Sequence, residues 1–121
     1  VAAGNTATVA ATRIVMVKKI MADGSPCAKC DEIEQRLRRD GWAARIERTV
    51  IADERHADSE GMQLARRHGI SLAPFFIVSG DGGEHVYTSY LKLVREIFAA
   101  PTSAREETAE LLQRNPDLDY L

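Results

Sequence analysis

Several large functional classes are closed to this chain by what it has little of. Among 121 residues only two are cysteine and four are proline, and aromatic residues make up 6%. Two cysteines do not make the framework of a small secreted scaffold, which needs several bridges across long loops. No apolar run nears the ~20 residues that a membrane-spanning helix requires, so no membrane partner is expected. Neither charge sign dominates, since 16 Lys and Arg stand against 18 Asp and Glu for a formal net charge of −2. That balance offers no basic stripe for a phosphate backbone, and nucleic acid is not expected as a partner. The three histidines, His56, His68 and His85, lack finger-like spacing to the cysteines, and no metal site is predicted.

What is present suits one soluble α/β domain acting as a monomer. Hydrophobic residues make up 45% and charged residues 28%, enough for a buried core without staples. Residues 1–12 are uncharged and lack the basic start and long apolar stretch of a secretory signal, so they read as a flexible leader. The domain is expected over 13–100, followed by a C-terminal helix and tail over 101–121. A cytoplasmic location is expected.

Both cysteines fall in Ser25-Pro26-Cys27-Ala28-Lys29-Cys30. This spacing staples nothing and lacks the two further ligands of a structural zinc site, which leaves reversible thiol–disulfide chemistry as the leading reading. Its surroundings favour it. Arg13 to Ile20 is a short apolar, β-branched run that predicts a buried strand, and Ala22 to Pro26 breaks it with turn residues. Ala28 to Arg39 contains helix formers with Ile33 and Leu37 four apart, closed by Gly41. Cys27 then stands at the helix N-cap, where free N–H groups and the dipole favour a thiolate, and Cys30 lies one turn inside. Attack is assigned to Cys27 and resolution to Cys30. Asp31 and Glu32 oppose further negative charge in that turn, and Lys29 partly offsets them.

Downstream, Trp42 to Ile51 predicts a partly exposed edge strand, completing a βαβ unit. Ser59 to His68 predicts a helix closed by Gly69. Phe75 to Val78 is a continuous apolar run of the kind found in a central strand, with Pro74 tolerated at its start. The loop Ser79 to Gly83 and a strand over His85 to Tyr90 make a hairpin. Leu91 to Ala100 predicts a helix with Leu91, Val94, Ile97 and Phe98 on one face, stopped by Pro101, and Ser103 to Arg114 a further amphipathic helix. Trp42 reads as a core or boundary aromatic. Lys18, Lys19 and Lys29 read most simply as solvated side chains, as do Arg36, Arg38, Arg39, Arg66 and Arg67 on polar helix faces.

In this order of elements, with Cys27-Ala28-Lys29-Cys30 opening the first helix and Ala73-Pro74-Phe75 entering the third strand, the chain resembles the thioredoxin superfamily over Arg13 to Ala100. The resemblance implies a thioredoxin-like fold with a central mixed four-stranded sheet flanked by helices. It also implies a thiol–disulfide oxidoreductase in which a cis-proline at Pro74 faces the redox pair, and Ala73, Pro74, Pro26 and Lys29 contact substrate. Glutaredoxins carry a lysine shortly before the first cysteine and a Gly-Gly segment with an acidic residue after the last strand. Here Asp23-Gly24-Ser25-Pro26 and Tyr90-Leu91-Lys92 occupy those places, which points to protein disulfides as substrates. No cofactor is implied, and glutathione or a reductase would return the dithiol to its reduced form. Two other readings stay open: an iron–sulfur or metal carrier using the cysteine pair, and a redox-inert binding module.

Overall fold

Ile14 and Met16 alternate with Val15 and Val17, so the first strand, β1 (Arg13–Ile20), feeds an apolar layer on each side. The computed structural model describes residues 12–80, 82–98 and 104–114. Nearly all of the expected leader, the stop at Pro101 and the tail beyond 114 lie outside them.

After β1 come helix α1 (Ala28–Asp40), a single 3₁₀ turn (Ala43–Arg45) and strand β2 (Arg48–Asp53). Helix α2 (Glu60–His68), strands β3 (Phe75–Gly80) and β4 (Gly83–Tyr87), and helices α3 (Tyr90–Glu96) and α4 (Ala104–Arg114) follow. The architecture is mixed α/β. Its sheet has the order β2-β1-β3-β4, with β1 and β2 parallel and the β1–β3 and β3–β4 pairs antiparallel. As expected, β2 lies at an edge and the apolar β3 lies inside. Phe76 and Val78 of β3 enter one core layer and Phe75 and Ile77 the other.

On one face, Ile33 and Leu37 of α1 and Tyr90, Leu91, Leu93 and Val94 of α3 pack against Ile14, Met16 and Phe76. On the other, Met62, Leu64 and Ala65 of α2 pack against Val17, Val50, Ala52 and Phe75. Burying side chains of this size stabilises by about 1.5–3 kcal/mol each. α2 approaches β2 closely because residue 61 is glycine: a Cβ there would lie 2.3 Å from the Ala52 nitrogen. α1 ends at Gly41, whose φ of 83° lets Trp42 N–H reach the Leu37 carbonyl at 2.9 Å.

Three expectations are corrected. Trp42 to Ile51 is not one strand. Arg45 and Ile46 N–H donate to the Trp42 and Ala43 carbonyls, closing the 3₁₀ turn, while Trp42 stacks on Phe98 at 4.7 Å, and β2 starts only at Arg48. The last strand ends at Tyr87 rather than Tyr90, because Ser89 caps α3 by accepting from Lys92 N–H at 3.0 Å and Tyr90 becomes helical. α3 ends at Glu96, short of the predicted Ala100.

Candidate active site

β1 delivers the chain to the sheet end where both cysteines sit. After Ile20 it turns through Met21 to Ser25, closed by Met21 N–H to the Ser25 carbonyl and by Gly24 N–H to the Met21 carbonyl, both at 2.9 Å. It returns so that Ile20 bridges Pro26 and Cys27 N–H donates to the Lys19 carbonyl at 3.3 Å. Cys27 is the N-cap of α1, its sulfur accepting the Cys30 N–H at 3.3 Å. The sulfur thus takes one of the free donors at the helix start.

Cys27 is half-buried and Cys30 is wholly buried, and both are free thiols. The Cys30 sulfur accepts the Lys19 N–H at 3.4 Å. Burial pushes the Cys30 thiol up to about 12, helped by its hydrogen bond with Cys27, while the Lys19 N–H and the Lys18 charge pull it down. Cys27 is thus the less buried of the pair, and the Cys30 thiol is held protonated and sheltered one helical turn away.

Ala73-Pro74 reaches the same end of the sheet. Val17 pairs with Phe75 as the last pair of the β1–β3 ladder, so Ala73-Pro74 enters β3 at the end of the sheet where β1 leaves for the cysteine turn. The Ala73–Pro74 peptide is cis, as the resemblance implies, with Pro74 buried and Ala73 half-buried. Pro74 and Lys29 line one narrow cleft with Ile33, Phe76, Thr88 and Tyr90. Pro26 is exposed. Thus Cys27, Cys30, Pro26 and Lys29 cluster around the start of α1, and Pro74 joins them through the cleft it shares with Lys29.

The lysines are not simply solvated. Lys18 lies on the α1 face of β1 and pairs with Glu34 at 2.8 Å, one turn beyond Cys30 on the helix. Lys19 lies on the opposite face, 3.5 Å from Glu54 and donating to the Ser71 carbonyl at 3.1 Å. Lys29 pairs with Glu32 at 3.2 Å. Arg36 is also more than a wetting group, since its guanidinium lies over the Tyr90 ring at 5.2 Å. The sequence did carry a signal for the Lys18–Glu34 pair. Strand alternation directs Lys18 toward the helix that holds Ile33 and Leu37, and Glu34 is four residues from Cys30.

Among the described residues, no group of three or more His, Cys, Asp or Glu side chains could hold a metal ion, and no helix is long and apolar enough to cross a membrane. Compared with models of protein families and with curated proteins, the chain matches none.

Proposed function

We propose that this chain is a thioredoxin-like thiol–disulfide oxidoreductase that reduces protein disulfides. The observation that carries the reading is the asymmetry of the pair: Cys27 half-buried at a helix N-cap, Cys30 buried one turn inside with its thiol pushed up to about 12. Such an arrangement suits two successive exchanges.

In the first, the Cys27 thiolate attacks one sulfur of the substrate disulfide. A mixed disulfide forms, and the other substrate sulfur leaves as a thiolate and takes a proton from solvent. In the second, Cys30 gives up its proton and attacks the Cys27 sulfur, which breaks the mixed disulfide and releases the remaining substrate thiolate. The substrate gains two electrons, and the protein is left with a Cys27–Cys30 disulfide. A reductase or two molecules of glutathione restore the dithiol. Ala73-Pro74 aligns the substrate chain beside Cys27 in this reading, and Pro26 and Lys29 flank it. A cluster-carrying role needs ligands beyond these two sulfurs, and a purely binding role leaves the sheltered thiol without use.

The test is trapping. Cys30→Ser should accumulate mixed disulfides with protein substrates and Cys27→Ser should not. Equal trapping by both variants would overturn the assignment.

A further inference from the structure

Helix α4 is attached to the body differently from the other helices. None of its described side chains belongs to the buried core, and Leu111 is 52% exposed. It is pinned instead by three carboxylates. Glu110 accepts from the Ser89 hydroxyl and from the Tyr90 and Leu91 N–H groups at 2.9 and 3.3 Å. Glu107 takes both its oxygens to Arg95 Nη1, at 2.5 and 2.7 Å, and Glu106 lies 3.8 Å from Arg36. The Arg36–Glu106 contact is the exposed one and is screened by salt, whereas Glu107 and Glu110 are half-buried and carry the attachment.

What these carboxylates bring α4 against is the proline side of the candidate site. Glu110 joins Lys29, Pro74 and Thr88 in the narrow cleft beside the cysteine helix. A neighbouring cavity of about 270 Å³ has Leu72, next to Ala73, on one side, and Thr108 and Leu111 of α4 on another. A substrate chain laid along Leu72-Ala73 meets α4 as a wall, whereas Cys27 lines neither of the two cavities that α4 borders, so a small reagent need not pass α4.

We propose that α4 is an autoinhibitory arm, latched by Glu107 and Glu110, that limits the access of folded protein disulfides to Cys27. The inference rests on the thiol–disulfide reading above. Releasing the latch removes one wall of the cavity and leaves the thiols as they are.

The test compares the full-length wild type with the Glu107→Gln/Glu110→Gln double variant and with Arg95→Gln. Three readouts are used: amide exchange over residues 104–112, reduction of the disulfides of insulin, and reaction with a small aromatic disulfide. The double variant should exchange at least about tenfold faster in α4 and reduce insulin at least about threefold faster, with its rate toward the small disulfide unchanged. Arg95→Gln should move the first two readouts the same way by less. Faster exchange without faster insulin reduction overturns the autoinhibitory role, and unchanged exchange overturns the latch. If the wild type reduces neither disulfide, the thiol–disulfide reading fails and the inference falls with it, whatever the exchange shows.

Discussion

The backbone N–H of Lys19 donates to the buried sulfur of Cys30 at 3.4 Å, so the end of a strand supports the buried thiol. The same residue's carbonyl receives the Cys27 N–H, so one residue of β1 fixes both cysteines relative to the sheet. A backbone donor cannot be deleted by side-chain substitution. The tunable parts of the site are therefore burial and the neighbouring charges.

Burial of Cys30 links stability to pH. The folded thiol, at about 12, holds its proton more tightly than an unfolded cysteine at about 8.5. Below the unfolded value both states are protonated and this contribution is fully present. As pH rises between the two values only the unfolded chain releases its proton, so stability falls by up to about 1.4 kcal/mol per pH unit. Urea midpoints of the reduced protein between pH 8 and 11 should show this slope, and Cys30→Ala should lack it. Tyr87 and Tyr90, both raised by burial, add an alkaline slope common to the two proteins, and the difference isolates Cys30.

Lys18 should matter for the second exchange and not the first. Its ammonium faces the helix that holds Cys30 and favours the emerging thiolate. Lys18→Met should slow resolution of a preformed Cys27 mixed disulfide about five- to tenfold in single-turnover measurements, which corresponds to about 1 kcal/mol. Alkylation of Cys27 should be unaffected. Glu34→Gln, which leaves the lysine charge unneutralised, should resolve as fast as wild type or faster. Slowing in both variants would point to damaged packing instead.

Glutathione mixed disulfides should be poor substrates. Before Cys27 the chain has Asp23-Gly24-Ser25-Pro26, in which Asp23 accepts from both the Ser25 N–H and its hydroxyl, and no lysine stands there. Turnover of a glutathionylated peptide should be well below that of a protein disulfide under one reducing system. Efficient deglutathionylation by Cys30→Ser would contradict this.

Two glycines should be intolerant for different reasons. Gly61→Ala drives a methyl group into the Ile51–Ala52 backbone and should cost about 3 kcal/mol, with β2 and α2 pushed apart. Gly41→Ala meets no neighbour within 4 Å but keeps a φ of 83°, and should cost about 1 kcal/mol. Thermal or urea unfolding of the two variants checks the order.

The elements that position the site were legible because local signals agree with tertiary demand. The run Ile14 to Val17, the turn before Cys27 and the stop at Gly41 each act within a few residues. The N-cap position of Cys27 follows from them. Trp42 to Ile51 misled because its β-branched residues suggested extended chain, while Trp42 is committed to Phe98, 56 positions away. Tyr90 misled likewise: it prolongs the apolar pattern of β4, but Ser89 accepts from Lys92 N–H and turns the chain into a helix. The α4 pattern predicted an amphipathic helix without its partner. Its Glu110 reaches Ser89 and the first peptides of α3, a partnership that no sequence period encodes.

The two sides of the sheet are not equally secured. α1, α3 and the Trp42–Phe98 stack share one broad apolar layer, whereas the other side has α2 over a smaller one. Under mild denaturation α2 should detach first, and the last region to melt should be the one that contains the dithiol. In the proposed thiol–disulfide reading, electron exchange through Cys27 and Cys30 would then outlast partial unfolding of the α2 side.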